Sequence, residues 1–394
     1  MEPAEPNQVA SRPGNWASRL AMLVKSLPLG LLGMLLFVSL IERHIARRQD
    51  MSTIYALEWR RTGLVPRKKE VVDSPILCFG TSLTRFGISP RVLEETLQLP
   101  AYNLALSGGQ PFPSYLMLRR SLEAGAKPRA ILVDFMWMTI CQEHTYNERL
   151  ITEMITLSDC AEFAWAAGDL NFFGRLAAAT LIPSCRARHE VRTNIDFALR
   201  GWEPPRVPER LLFDRNATLN RGALLVPLGK SKGEFVPDHP MIFQKDWVCT
   251  PVCKQYIGKF LDLASSHKIP VFWLIPPLPE NTSGRLAELG IQARYFQLVE
   301  SMRVLHPEVV VLDGSGSHYE LSAFFDMLHL DRDGAVVWSA DVASAVKRCM
   351  DSPQTLAGAW EHLPNYRPDP KAARVEDIDK TNANLRAMLD RLRR

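Results

Sequence analysis

Residues 75–82 read Pro-Ile-Leu-Cys-Phe-Gly-Thr-Ser, and the way this run is continued decides the fold. Four apolar residues between a proline and a glycine have the length and flanks of a buried β-strand. Pro90 to Gln98 then carries a helical pattern. Ala101 to Leu106 (AYNLAL) reads as a second strand that stops at Ser107-Gly108-Gly109. Tyr115 to Ala124 is an amphipathic helix with Tyr115, Leu116, Leu118 and Leu122 among its apolar members, and Gly125 suits its end because glycine tolerates the left-handed conformation. Ala130-Ile131-Leu132-Val133-Asp134-Phe135 is a third strand. Strand, helix, strand, helix, strand in close succession predicts an α/β fold with a parallel sheet and right-handed crossovers.

Further along, the same rhythm resumes. A helix over Thr250 to His267 precedes a strand Val271 to Ile275, a helix Gly284 to His306 precedes a strand Val309 to Leu312, and a last helix spans Gly334 to Met350. Between about residues 141 and 245 the rhythm is broken. A helical stretch from Glu148 to Ala179 gives way to a section rich in Pro and Arg (WEPPRVPER, LLVPLGKSKGEFVPDHP). A long irregular insert of this kind is expected to act as a lid or a substrate surface. The α/β domain therefore covers residues 74–350, followed by a linker and an amphipathic helix over 351–394. There Val375, Ile378, Leu385, Leu389 and Leu392 form a helical stripe on a charged background, suited to docking or self-association.

Composition narrows the class. The chain has 394 residues, 46% hydrophobic and 23% charged, which excludes a wholly disordered or collagen-like protein. A mean hydropathy of -0.08 excludes a polytopic membrane protein. The net charge of +4 is too small over this length to suggest nucleic-acid binding. At the N-terminus, residues 20–41 form an apolar stretch that only Lys25 interrupts. As a helix it is about 33 Å long, enough to cross a hydrocarbon core of roughly 30 Å, with Lys25 near enough to one end to snorkel. The stretch ends FVSLIERHIARR, without a small-residue cleavage site, which favours an uncleaved anchor over a signal peptide; a buried core helix is the other reading. Residues 1–41 are thus a tail and anchor, and 42–73 a polar, basic juxtamembrane helix and linker, whose Arg67-Lys68-Lys69 reads most simply as solvated linker, with contact to anionic headgroups as the other reading. Arg12, Arg19 and Lys25 precede the stretch; Arg43, Arg47, Arg48, Arg60 and Arg61 follow it. By charge counting alone the body leans toward the cytoplasm.

Seven cysteines cannot all pair and do not form a disulfide framework. Cys249 and Cys253, in VCTPVCK, either bridge, bind a metal or are ordinary buried thiols. The lack of a second Cys/His pair at zinc-site spacing favours the thiols. No P-loop, G-x-G-x-x-G or H-E-x-x-H occurs, so neither a cofactor nor a metal is expected.

Two short motifs carry chemistry. Phe79-Gly80-Thr81-Ser82-Leu83-Thr84 places Ser82 just beyond the first strand, on the edge where open parallel sheets bind ligands. A serine there can present its hydroxyl while its own N–H faces a developing oxyanion; a structural turn serine would also fit. Phe324-Phe325-Asp326-Met327-Leu328-His329-Leu330 places a carboxylate three residues before an imidazole. One local turn lets Asp326 fix the ring tautomer so that the far nitrogen can deprotonate a serine. The loop Pro276-Pro277-Leu278-Pro279-Glu280 lies at the same edge, as pocket wall or plain turn, and His318 in GSGSHYE either contacts substrate or is a solvated loop residue.

Ser82 after the first strand and Asp326-x-x-His329 before the last helix together resemble the SGNH (GDSL-like) hydrolase superfamily, over about residues 74–140 and 250–350. The wording GTSLTRFGISP, YNLALSGGQP and LEAGAKPRAILVDF resembles its membrane-anchored members from bacterial envelopes. The resemblance implies a three-layer, flavodoxin-like sandwich, with Ser82 as nucleophile and an oxyanion hole from the Ser82 and Gly108 amides. Asp326 and His329 would be the orienting carboxylate and general base. It further implies an esterase or O-acyltransferase acting on an acylated saccharide of the envelope, with the body outside the cytoplasm. A non-catalytic scaffold keeping this fold is the alternative. One block departs: the strand AILVDFMWM lacks the Asn that usually donates to the oxyanion, and Asp134 stands in that neighbourhood, where an ionised carboxylate would repel a negative oxygen. Loss of one such donor costs on the order of 100- to 1000-fold in turnover; Asn147 or an insert residue would have to replace it.

Overall fold

The computed structural model describes residues 16–47, 53–201, 207–228, 235–352, 358–368 and 375–392. Arg12, Arg48 and part of the Pro- and Arg-rich section lie outside these. The centre of the molecule is a six-stranded, all-parallel sheet: β1 (Ile76–Phe79), β2 (Ala101–Asn103), β3 (Ala130–Val133), β4 (Val271–Ile275), β5 (Val310–Asp313) and β6 (Trp360–His362), in the order β2-β1-β3-β4-β5-β6. β1 lies between β2 and β3, pairing Ile76 with both Ala101 and Ala130. The strand order therefore reverses at β1/β3, and the crevice outside the carboxyl ends of these two strands is the switch point of the sheet.

Every core strand is buried on both faces, and successive side chains alternate between two apolar clusters. Leu77, Phe79, Ile131, Val133, Val271, Trp273 and Ile275 enter one; Ile76, Cys78, Ala130, Leu132, Phe272 and Leu274 enter the other. Of the helices, α1 (Trp16–Arg47), α2 (Ile54–Leu64) and α3 (Ser82–Gly87) lead into the domain. α4 (Pro90–Leu97) supplies Val92 and Leu93 to the second cluster, while α5 (Pro111–Glu123) supplies Phe112, Leu116 and Met117 to the first. Layers of helix on both sides of the sheet are the result. Phe79, Phe135, Trp273 and Phe260 interlock edge to face, with centroids 4.9–5.6 Å apart, each pair adding about 0.5–1.5 kcal/mol beyond its burial.

The insert is helical and packs into the same core. α6 (Leu157–Ala167) lays Phe163 on Phe112 at 4.1 Å. α7 (Leu170–Leu181), α8 (Pro183–Arg186) and α9 (Arg188–Leu199) follow, then α10 (Val207–Leu219). The helix expected over Glu148–Ala179 is thus three pieces, beginning with a short turn Glu148–Ile151; Thr156 caps α6 and Gly168, at φ 64°, ends it. The helix expected over Thr250–His267 is α11 (Pro251–Ser266), with Thr250 as its N-cap. The helix expected over Gly284–His306 is two, α12 (Glu280–Glu288) and α13 (Ile291–Leu305), separated at Gly290, whose φ of 64° breaks the helix. α14 (Arg332–Asp351) closes the domain.

The helix expected within residues 42–73 is present but packs into the body, and the linker expected after residue 350 carries a strand. Within residues 42–73, α2 buries Ala56, Leu57 and Trp59, the last completely. Beyond residue 350 the sheet continues, because β6 pairs with β5 and Trp360 donates its Nε1–H to Asp313 Oδ2 at 2.8 Å. The C-terminal helix α15 (Ile378–Leu392) docks on its own chain: Asn216 Nδ2 donates to Thr381 Oγ1 at 3.0 Å, the Ile378 N–H reaches Leu225 O at 3.0 Å, and Val375 is buried. The side chains of Leu389 and Leu392 lie outside the described residues.

At the other end, α1 contains a 21-residue stretch, Leu27–Arg47, long and apolar enough to cross a membrane, whose large apolar side chains from Leu27 to Ile41 are exposed. The core-helix reading of this segment is therefore not the one the fold adopts.

Candidate active site

β1 ends at Phe79 and the chain turns sharply at Gly80, where φ is 123°. A Cβ at Gly80 would collide with the Asp134 carboxylate and backbone, so only glycine fits. Thr81 caps α3, its hydroxyl accepting from the Leu83 N–H at 3.2 Å, and Ser82 is the first residue of the helix. The backbone N–H of a first-turn residue has no partner within its own helix.

Asp134, at the end of β3, is buried and faces this turn. Its Oδ1 accepts from the Thr81 and Thr84 backbone N–H groups at 2.8 and 3.3 Å, and its Oδ2 from the Thr81 hydroxyl at 2.7 Å. Burial raises its pKa, while these same hydrogen bonds act in the opposite direction. Asp134 thus stands in the neighbourhood expected of it, with both carboxylate oxygens turned onto Thr81 and Thr84. Asp134 holds the serine turn in place.

The Asp326 and His329 segment converges on Ser82 from 247 residues away. Asp326 Oδ1 accepts the Leu328 and His329 backbone N–H groups, both at 2.8 Å, so the loop is closed by its own carboxylate. The Phe325 N–H to His329 O bond at 2.8 Å and the Phe324–Leu330 bridge complete it. Nδ1–H of His329 donates to Asp326 Oδ2 at 2.7 Å, a tautomer that leaves Nε2 to accept the Ser82 hydroxyl at 2.9 Å. Burial pushes the Asp326 pKa up, but the hydrogen bonds from the His329 ring and the two amides prevail and hold it below the usual carboxylate value. Phe86 packs edge-on against the imidazole at 4.9 Å. Ser82 is 7% exposed and the His329 side chain 17%.

The second strand leads to the opposite wall of the site. Asn103 donates to Thr84 O and Ile88 O at 2.9 and 3.0 Å and so fixes the far end of α3. Gly108 adopts φ 69°, and its carbonyl accepts from Asn147 Nδ2 at 2.7 Å. Asn147, from the loop after β3, is 6% exposed and stands beside Gly108. A residue missed from the sequence underlies this wall. Glu58 of α2 accepts from the Ser107 N–H at 2.6 Å and hydroxyl at 3.0 Å, and it pairs with buried Arg85 at 3.2 Å. Arg85 in turn donates to Ala105 O at 2.9 Å. The available signal was a helical run, Ile54-Tyr55-Ala56-Leu57-Glu58-Trp59, hidden within a basic segment.

The remaining candidates sort themselves by place. Pro277, Leu278 and Asn281 line one side of a 530 Å³ groove at the carboxyl ends of β4 and β5, and Ser315, His318 and Glu320 line the other. Thr282, at this groove, donates to Met327 O at 2.8 Å and so ties it to the Asp326 loop. A smaller 40 Å³ space shares Leu278, Ser283 and Ser315 with the groove and reaches Leu83 and Asp134. Lys69 of the basic cluster pairs with Asp73. Cys249 and Cys253 are free thiols, and burial raises the Cys253 thiol to about 12. Among the described residues no group of three or more His, Cys, Asp or Glu could hold a metal ion. No known family model matches the chain, and no curated protein matches it significantly.

Proposed function

We propose that this protein is a membrane-anchored, serine-dependent acyl-ester hydrolase or O-acyltransferase of the SGNH type, acting on acylated saccharide of the envelope. The observation that carries the reading is the relay Asp326–His329–Ser82, with bonds of 2.7 and 2.9 Å, at the switch point of a parallel sheet. The strand order β2-β1-β3-β4-β5 is the flavodoxin-like one, as the resemblance requires.

The chemistry follows from the positions. Ser82 Oγ attacks the ester carbonyl as its proton passes to His329 Nε2, and Asp326 stabilises the imidazolium. The negative oxygen of the tetrahedral adduct is met by the Ser82 and Gly108 N–H groups, and Asn147 Nδ2 supplies the third donor in place of the absent third-block Asn. Collapse breaks the bond to the leaving alcohol, whose oxygen takes the proton from His329. Water or a sugar hydroxyl then attacks the acyl-serine and gives its proton to His329; the second adduct collapses, the bond to Ser82 Oγ breaks, and Ser82 takes that proton back from His329. The small space beside Leu83 suits a short acyl group, and the groove with Asn281, Ser315, His318 and Glu320 offers hydroxyl-binding partners to a sugar.

The body is assigned to the extracytoplasmic side. Charge counting loses weight because Arg60 and Arg61 lie in the folded helix α2, paired with Glu153 and Asp214. The test is labelling of the detergent-solubilised full chain with a fluorophosphonate, alongside turnover of an acetyl-ester chromogen. Labelling is expected, and Ser82→Ala should abolish it and reduce turnover by about 10⁴-fold or more. A wild-type chain that neither labels nor turns over would favour the scaffold reading.

A further inference from the structure

The insert helices meet the apolar helix at one defined level. Glu42, one residue past the apolar run ending at Ile41, accepts from the Ser184 N–H at 2.8 Å and the Ser184 hydroxyl at 2.5 Å. Ser184 is in α8. A second tie lies a few residues further on: Glu190 of α9 pairs with Arg149, whose guanidinium also reaches the hydroxyl of Thr53, the cap of α2, at 3.5 Å. Ser184 thus contacts Glu42 directly, and Glu190 is tied to Thr53 through Arg149.

What surrounds this corner is unusual for a surface facing only water. Leu181 and Ile182, immediately before α8, are 63% and 41% exposed. Arg188, His189 and Arg192, immediately after it, are exposed, as are Arg43, His44 and Arg47 on α1. At 1.5 Å per residue, the large apolar side chains exposed on α1 end within about one turn of Glu42. Leu181 and Ile182 lie three and two residues before Ser184, which meets α1 where its apolar run ends, and exposed cations of α1 and α9 flank the same corner in sequence. Apolar residues at the acyl boundary under a row of cations are the pattern of a helix corner lying in a membrane interface.

We propose that the α7–α8–α9 corner of the insert is a second, monotopic membrane contact. Leu181 and Ile182 enter the interface beside α1, while Arg188 and Arg192 hold anionic lipid headgroups. The body is then fixed against the bilayer at two points rather than tethered by one. The proposal rests on α1 being the anchor.

The test uses the full chain in vesicles of mixed phosphatidylglycerol and phosphatidylcholine, with a photoreactive benzoylphenylalanine at one position at a time. Positions 181 and 182 are compared with 36, in the middle of α1, and with 304, an exposed valine on α13. Lipid adducts at 36, 181 and 182 but not at 304 are expected. Phosphatidylglycerol should be enriched in the adducts at 182, and Arg188→Glu with Arg192→Glu should remove that enrichment. Lipid adducts at 36 with none at 181 or 182, or with protein–protein adducts there, overturn this inference and leave the anchor standing. No lipid adduct at 36 removes the anchor and this inference together.

Discussion

If the proposed ester chemistry at Ser82 holds, Asn147, the proposed third oxyanion donor, is the side chain outside the relay whose loss turnover should register. Its amide has two N–H groups, and one is spent on Gly108 O at 2.7 Å, which orients the other. Asn147→Ala is expected to lower kcat by about 10²- to 10³-fold with KM little changed, since the lost bond forms only as charge develops. Steady-state turnover of an acetyl ester, with fluorophosphonate labelling retained, checks it. At this scale side-chain identities are legible in the sequence and side-chain directions are not. Ser82, Asp326 and His329 are legible because each sits in a short local pattern next to a strand or helix end. Asp134 is legible as a neighbour of the site, but its hydrogen bonds to the Thr81 turn are not. Whether a carboxylate faces the oxyanion or the Thr81 turn is set by which way β3 ends, and no spacing encodes that.

At the scale of the element, α2 is the part whose role the sequence concealed. A juxtamembrane helix is legible in residues 42–73, but not that it enters the core: Trp59 is fully buried and its Nε1–H reaches Ser107 O at 3.2 Å. Glu58 and Arg85 form an ion pair with side chains only 6% and 7% exposed. Removing one member of such a pair leaves an uncompensated charge, which typically costs about 3–5 kcal/mol. Glu58→Ala should therefore lower the thermal midpoint by many degrees, while Glu58→Met combined with Arg85→Met should recover most of that loss. Turnover should stay depressed in the double variant, because Ser107 still lacks the acceptor that holds the Gly108 wall. Thermal melts and turnover on the same samples separate the two effects. The other element-level differences have similarly local causes. Gly290 breaks a long apolar pattern in two, and β6 is three half-exposed or exposed residues without an apolar alternation to announce it.

For the whole molecule, the class of fold was legible because parallel strands buried on both faces leave continuous apolar runs. The strand order was not, since it depends on which side of the sheet each crossover takes. That order is what makes Ser82 and Asp134 neighbours across β1 and β3. Global stability carries a further, testable signature on the face opposite α5 and α11. Asp341 lies on α14, and burial lifts its carboxyl to about 6 from 3.8, with Arg348 acting weakly against the rise. A carboxyl whose folded pKa is raised binds its proton more tightly in the folded chain. Its contribution to stability is therefore complete below about pH 4 and is lost as pH rises through 6. After discounting for partial solvent exposure, the loss amounts to about 1–2 kcal/mol. Asp341→Asn removes the titration. The difference in thermal midpoint between variant and wild type should thus shift in favour of the variant between pH 4.5 and pH 8, by roughly one to a few degrees. Taking the difference isolates this group from Asp326, whose lowered pKa works in the opposite sense, favouring the fold above the ordinary carboxylate pKa and weakening it in stronger acid. A difference that stays flat from pH 4.5 to 8 would mean that Asp341 is as well solvated in the folded chain as in the unfolded one.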